Sequence, residues 1–338
     1  MPDSFTLKNG LKTTLPAGFL IGHAQDEEAA TGCSVILCEE AALAAVSVRG
    51  AAPATRETDL LDPRNTVERI NAVVLSGGSA FGLDAAGGVM RWLSERNRGF
   101  RFAGSCVPIV CGASIFDLGV GSPSVFPNND MGYAACVAAS STVKTGNVGA
   151  GIGASVGKIL GTDYSMKSGI GCASIEFGEI IVAALVCVNA AGNIFDRSTS
   201  KLIAGVRNPF DNGSLLDAYQ AFSLMLQSAE KPPSQPTNTT ISCVITNGVL
   251  TKAQASHVAD MAHDGYARAI EPVHTGFDGD TVFILSSTTQ PCSSDMIGIL
   301  AARVMESAIH NALHSAQSAY GLPAASDFAD TVSLSIPW

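Results

Sequence analysis

The chain has 338 residues, 46% of them hydrophobic and only 15% charged, with a net charge of −10. An average soluble domain carries about 25% charged residues, so this chain must bury a large core or pack some of its faces against other subunits. No lysine- and arginine-rich stripe marks a nucleic-acid partner, and the length suits one large domain or two ordinary ones.

The opening stretch, "MPDSFTLKNGLKTTLPAGF", lacks the basic and apolar regions of a signal peptide. Short apolar runs follow, "GFLIGHA", "CSVILC" and "LAAVSV", and read as strands. "NAVVLSGGSAFGLDAAGGVMRWLSERN" predicts a strand, a Gly-rich turn and a helix with Phe81, Ala85, Val89 and Leu93 on its buried face. "VPIVCGASIF" is a further strand, and "NNDMGYAACVAASSTV" a helix capped by Asn128 or Asn129. Glycine dominates 145–171. Strands are expected near 173–177 and 180–189, a turn over "AAGNIFD", and an amphipathic helix over 215–229. The run "IIVAALVCV" at 180–188 is too short to span a bilayer, so no membrane role is expected. Then comes "KPPSQPTNTTISCVITNG" at 231–248, where a proline-rich polar linker runs straight into a β-branched strand. "TKAQASHVADMAHDGYARAI" is a helix opened by a Thr251/Gln254 capping box. "DTVFILSS" is a strand, and 294–319 a long helix stopped by Gly321 and Pro323. Interleaved strands and helices with no repeat period imply a layered α/β fold.

Several motifs fail on spacing. "GGSAFG" puts Phe81 where a serine nucleophile elbow at Ser79 needs glycine, so Gly78 and Ser79 read as a turn. "GAGIGASVGKI" satisfies neither the phosphate-loop nor the dinucleotide pattern, and no cofactor is expected. His310 and His314 stand i, i+4 without the companions of a zinc motif, so no metal is expected either. The nine cysteines are an odd count without a C-x-x-C pair, which fits reduced thiols and a cytoplasmic setting. Two features remain. In "HTGFDGDTVF", Asp278 and Asp280 flank Gly279 just before a strand. They form either a plain turn or a carboxylate pair able to orient a hydroxyl and an ammonium group. At the linker–strand seam, Thr239 would be a competent nucleophile if the chain were cut after Asn238. Its own α-amino group, with an ordinary pKa of about 7.7–8.0, could then take the hydroxyl proton. The alternative is a strand that merely begins with two threonines.

The stretch from "PTNTTISC" to "HTGFDGDTVF", together with "VLSGGSAFGLDAAGGVMRWL", "GNVGAGIGASVGKILG" and "KSGIGCAS", resembles the DmpA-like L-aminopeptidase/D-esterase family. That family includes β-aminopeptidases and the nylon-oligomer endo-hydrolase. The likeness runs from about residue 18 to 310. It implies a self-cleaving amidohydrolase with an αββα sandwich of Ntn-hydrolase-like layering. It also implies a single domain over 1–338 that is processed into an α-chain 1–238 and a β-chain 239–338, and a homotetramer of αβ units. The cleavage site falls on Asn238 and Thr239, and the catalytic set on Thr239, Asp278, Asp280, Lys158 and Asn189, with the Asn189 amide as oxyanion donor. Phe116, Gly78 and Ser79 would lie by the substrate pocket. Phe116 stands where family members can carry a tyrosine, so a hydroxyl that could polarise the substrate is missing. The expected substrates are small peptides, amino-acid amides or ω-amino-acid oligomers. The competing expectation is an unprocessed ligand-binding relative of the same fold.

Overall fold

The computed structural model describes residues 13–211, 213–227 and 238–328. In chain order its main elements are β1 (Phe19–Asp26), β2 (Thr31–Val48), β3 (Arg69–Ser76), α1 (Ala85–Ser94), β4 (Val110–Ser114), α2 (Asn129–Val137), β5 (Ile170–Phe177), β6 (Ile180–Asn189), α3 (Ala218–Gln227), β7 (Thr239–Gly248), α4 (Lys252–Ala269), β8 (Thr281–Gln290) and α5 (Ser294–Ser315). The hydrogen-bonded order is β5-β6-β7-β8-β2-β3-β4, with the two-residue strand Thr55–Arg56 beyond β4 and β1 along β2. β7 and β8 run parallel, as do β3 and β4, and each pair is joined by a crossover helix, α4 or α1. The other main pairings are antiparallel.

β2 turns this ladder into two layers. Its first half pairs with β1 and β3 and its second half with β8, and the register with β3 breaks between Leu37 and Ala42. Ile36, Val73 and Leu75 from one half then meet Leu185, Ile241, Cys243 and Phe283 from the other in a shared core. Strand side chains alternate between faces, so the intervening residues point outward. Val186, Val244 and Ile284 pack on Ala259, Tyr266, Val304 and Ala308 of α4 and α5. Val35, Leu37 and Val74 pack on Ala85, Val89, Leu93 and Ala135 of α1 and α2. The result is an αββα sandwich. It explains why β6 and β7 read as unbroken apolar runs rather than alternating ones: both of their faces are covered.

The expected elements are present, with shifts that have physical causes. "CSVILC" and "LAAVSV" belong to one strand, and the exposed Glu39 and Glu40 that look like a turn sit where it crosses between layers. Phe81 does not join the buried face of the helix. A separate turn, Ser79–Gly82, precedes α1, and the Phe81 ring is 61% exposed and stacked on Phe126 at 4.5 Å. Ala85, Val89 and Leu93 are buried as expected. The Asn128 side chain caps α2 by accepting from Met131 N, but the helix ends at Val137, short of the expected 143. Residues 193–196 of "AAGNIFD" are a strand rather than part of a turn. α3 begins at Ala218, because Leu215–Leu216 pair with Val206–Arg207. Its expected last residues and most of the proline-rich linker lie outside the described residues. The capping box of α4 forms with Thr251 and Gln254. α5 stops at Ser315, where Ala316 turns extended, rather than running to 319. Among the described residues no helix is long and apolar enough to cross a membrane.

Candidate active site

Three strand ends meet at one edge of the inner layer. Asn189 closes β6, Thr239 opens β7 directly opposite it, and Asp280 immediately precedes β8. The pairing of β7 with both neighbours therefore gathers residues that are far apart in sequence. Lys158 joins them from the Gly-rich segment. Thr239, Asn238, Asp278, Asp280, Lys158 and Asn189 are all buried.

The peptide carbonyl of Asn238 is held from two sides. Gly279 N donates to it at 3.0 Å, and the Thr239 hydroxyl donates to it as well. Asn238 N donates in turn to Phe277 O at 3.1 Å, so the residue lies as a bridge along the 277–279 loop. This close approach requires glycine at 279: a Cβ there would stand 2.8 Å from Thr239 Oγ1 and 2.9 Å from Ala52 O.

The two aspartates do different work. Asp280 Oδ1 accepts from Thr240 N at 2.7 Å, while its Oδ2 accepts from His274 N at 3.1 Å and bonds His274 Nδ1 at 2.8 Å. Its carboxylate thus grips the backbone next to Thr239 rather than the hydroxyl. Asp278 Oδ2 accepts from Thr275 N at 2.6 Å. Burial, and then the neighbouring Asp280 carboxylate, push the Asp278 carboxyl above its ordinary range, while the Thr275 contacts and Lys158 pull it back.

Lys158 Nζ donates to Asn189 Oδ1 at 2.7 Å and to Asn189 O at 3.3 Å. Burial draws its pKa down to about 7, against the pull of Asp278 and Asp117. Asn189 is fully engaged along one edge: Oδ1 also accepts from Ser155 N at 3.1 Å, and Nδ2 donates to Phe116 O at 3.0 Å. An oxyanion role for this amide rests on its second N–H.

The expected pocket residues connect to the site through Phe116. Its neighbour Asp117 accepts from Gly78 N at 2.7 Å and from Thr31 Oγ1 at 2.8 Å. Burial raises the Asp117 pKa above the usual carboxylate range. Gly78 and Ser79 both have positive φ, 78° and 54°, so the turn that follows β3 is wound left-handed against Asp117. The half-buried Phe116 and Ser79 and the buried Gly78 are thereby tied to Asn189 through one chain of bonds.

Sequence reasoning missed four contributors. Asp117 stands beside Phe116 in "SIFDL" with no pattern of its own. His274 lies in "HTGFDGDTVF", yet its bond to Asp280 depends on a turn whose φ of 56° the sequence does not announce. The Gly279 N–H is a backbone group. Lys167 is a second buried lysine, donating to the carbonyls of Gly151 at 3.1 Å and Ala154 at 3.0 Å and also to that of Ser168. Among the described residues no group of three or more His, Cys, Asp or Glu side chains is arranged to hold a metal. His310 is instead bonded to Phe195 O at 2.7 Å.

A hydroxyl, a lysine, an amide and carboxylates buried at the ends of neighbouring strands are the groups that acyl transfer uses. The profile of peptidase family S58 matches residues 16–325, and the chain belongs to this DmpA-type family of peptide-bond hydrolases. It is 44% identical over 276 residues to an uncharacterized aminopeptidase of Mycobacterium leprae, covering 76% of this chain and 71% of the relative. It is 30% identical over 325 residues to the 6-aminohexanoate-oligomer endohydrolase of a Kocuria strain, covering 91% of this chain and 87% of the relative. The fold is similar to that of the L-aminopeptidase/D-Ala-esterase/amidase of Ochrobactrum anthropi, described as a variant of the Ntn hydrolase fold. The TM-score is 0.67 at 18% identity, over 93% of this chain and 89% of that one. A Burkholderia β-aminopeptidase gives a TM-score of 0.67 at 18% identity, over 97% and 95%. The chain is an enzyme that hydrolyses amide bonds.

Proposed function

We propose that this enzyme works through Thr239, first on its own chain and then on substrate. The observation that carries this reading is the Thr239 hydroxyl lying against the Asn238 carbonyl while Gly279 N holds the same oxygen. Oγ adds to the carbonyl carbon, the Gly279 N–H steadies the developing oxyanion, and the hydroxyl proton passes to the departing amide nitrogen. The C–N bond breaks and an ester joins Asn238 to Thr239. Water then hydrolyses the ester, leaving an Asn238 carboxylate and a free Thr239 amine. The products are an α-chain of residues 1–238 and a β-chain of residues 239–338.

In turnover the freed amine, with an ordinary pKa of about 7.7–8.0, takes the Oγ proton as Oγ attacks a substrate amide. The acyl group stays on Thr239 as an ester, the amine product leaves with the proton, and water resolves the acyl-enzyme. Lys158, when charged, favours the alkoxide-like transition state, and the free N–H of Asn189 is the oxyanion donor for substrate. Such a donor is worth on the order of 3 kcal/mol in other enzymes. Asp278 holds the new ammonium, and Asp280 keeps the strand start in place. The substrates proposed are small peptides, amino-acid amides or ω-amino-acid oligomers, the last supported by likeness to the Kocuria endohydrolase. Tyr219, Phe222 and Leu226 stand exposed on α3, which supports a working homo-oligomer, proposed as a tetramer of αβ units.

Intact mass and N-terminal sequencing test the reading. The purified wild type should separate into two chains on denaturation, the smaller beginning Thr-Thr-Ile-Ser-Cys. Thr239→Ala should remain one chain without amidase activity, and Thr239→Ser should retain part of both reactions. A wild type that stays uncut yet hydrolyses amides would overturn the mechanism. One that stays uncut and inactive would favour a ligand-binding role for the same pocket.

A further inference from the structure

We propose that His274 is a positioning residue for this chemistry: its imidazole Nδ1–H and its backbone N–H together lock the Asp280 carboxylate, which in turn fixes the peptide plane between Thr239 and Thr240. The inference rests on Thr239 being the nucleophile. It assigns a role to a side chain that touches neither Thr239 nor the Asn238 carbonyl.

The geometry runs in one direction. Asp280 has a side-chain exposure of 3% and three hydrogen-bonding partners. One oxygen faces the strand and takes Thr240 N. The other faces the loop and takes both donors of His274. A carboxylate held only through Oδ1 could swing about its Cα–Cβ and Cβ–Cγ bonds. Held also through Oδ2 it cannot do so without breaking the His274 contacts, and the Thr240 amide is fixed with it. Because that amide adjoins Thr239, its orientation limits where Oγ can point. On the far side of the same residue the Tyr266 hydroxyl lies 3.2 Å from Thr240 O and 2.8 Å from Ser242 Oγ. The strand start is thus pinned at both its N–H and its carbonyl.

His274 is itself braced. α4 presents His263 and Tyr266 one turn apart. The His274 ring stands 4.8 Å from the His263 ring at 72° and 6.0 Å from the Tyr266 ring at 52°. His263 is bonded to Ser47 O at 3.1 Å through Nε2, and burial draws its pKa down to about 4, so it packs as a neutral ring. His274 Nε2 is buried without a partner among the described residues. The Nδ1 bond to Asp280 is therefore its polar anchor, and the tautomer that serves it when neutral carries the proton on Nδ1. His274 has a backbone φ of 56° and donates its N–H to Asp280 Oδ2, in a left-handed conformation that glycine, asparagine, aspartate and histidine adopt most readily.

Side-chain geometry supplies the test. Asparagine carries its Nδ2 on the same Cγ position as the imidazole Nδ1 and tolerates left-handed backbone. Glutamine places its nitrogen one atom too far. Phenylalanine keeps a ring against His263 and Tyr266 but has no donor. His274→Phe and His274→Gln should slow self-cleavage and lower kcat by roughly tenfold to hundredfold, the usual cost of losing an orienting partner, with KM changing by less than about twofold. His274→Asn should restore most of that loss, and thermal melts should show all three variants folded. The proposal fails if His274→Phe or His274→Gln, once folded, processes and turns over at the parental rate. It fails equally if His274→Asn loses as much as His274→Phe, because packing alone would then be the role. Thr239→Ala run in parallel separates the two levels. If it retains amidase activity, the nucleophile is wrong. If it is uncut and inactive while His274→Phe is normal, only the positioning role falls.

Discussion

Lys158 and Lys167 stand on the same Gly-rich segment, both are buried, and burial draws both pKa values down to about 7. They differ in what they touch. Among the described residues Lys167 Nζ donates only to backbone carbonyls, those of Gly151, Ala154 and Ser168, and so closes a loop upon itself. Lys158 reaches the side chain and carbonyl of Asn189, at the end of the strand that lies opposite Thr239, and feels the charge of Asp278 in addition to that of Asp117, which acts on both lysines. Depth and perturbed acidity alone do not separate a site lysine from a scaffold lysine. The acceptors do differ: carbonyls within one loop for Lys167, and the side-chain amide and carbonyl of a strand-end residue for Lys158.

The largest expected effect comes from removing the site lysine. Lys158→Met should lower kcat by about 10²–10³-fold, the range seen when a transition-state donor or charge is removed elsewhere. Stability should hold or rise slightly, because a disfavoured buried charge is gone and Asn189 Oδ1 keeps its bond from Ser155 N. Steady-state kinetics and a thermal melt on one preparation decide the point. A variant that turns over at the parental rate would place Lys158 beside Lys167 as a packing group.

Lys167→Met should show the opposite signature. Three buried carbonyls lose their shared donor, and leaving a buried acceptor unsatisfied costs about 1–3 kcal/mol. Denaturant unfolding should reveal that loss, while activity per folded molecule stays within a few-fold of the parent. If Lys167→Met unfolds at the parental midpoint but is inactive, the comparison is reversed.

The same contrast shows how much of this enzyme was legible in its sequence. β6 and β7 were readable because a strand covered on both faces leaves an unbroken apolar run, and the Thr251/Gln254 box marked the start of α4. The Asp278/Asp280 spacing and the Thr239 seam were visible as unusual local patterns. Their partners were not, since Asp280 bonds Thr240, forty residues away in the chain, through the parallel pairing of β7 and β8. Phe81 misled because its spacing to Ala85 is helical in the sequence, while its own helical turn, Ser79–Gly82, ends at a break over Leu83–Asp84 before the buried helix begins. Lys167 and His274 open the stretches "KSGIGCAS" and "HTGFDGDTVF", yet neither pattern gives those two side chains a role. A lone lysine is ordinarily a surface charge, and only the folded loop places carbonyls around this one.

The smallest effect is the most specific to the comparison, because it uses the acidity that the two lysines share. In the folded protein each has a pKa of about 7, whereas an unfolded chain restores the ordinary value near 10.5. Between those values the unfolded state binds more protons, so stability rises with pH. Put the other way, the stability tied to these groups is fully present above about 10.5, is lost as pH falls toward 7, and falls no further below that. Buried thiols such as Cys33 and Cys187, pushed up by burial, work in the opposite sense above their ordinary value of 9.0. The clean window is therefore pH 7 to 9. There each lysine should add a slope of at most about 1.4 kcal/mol per pH unit. Unfolding free energies measured across that window should rise less steeply in Lys158→Met and in Lys167→Met than in the parent, by similar amounts. Equal flattening in both variants, set against opposite effects on kcat and on the unfolding midpoint, would show that burial sets the acidity and the acceptors set the role. If only one variant flattens, the other lysine stays protonated across the window in the folded state as it does unfolded, and the two are not the matched pair that their burial implies.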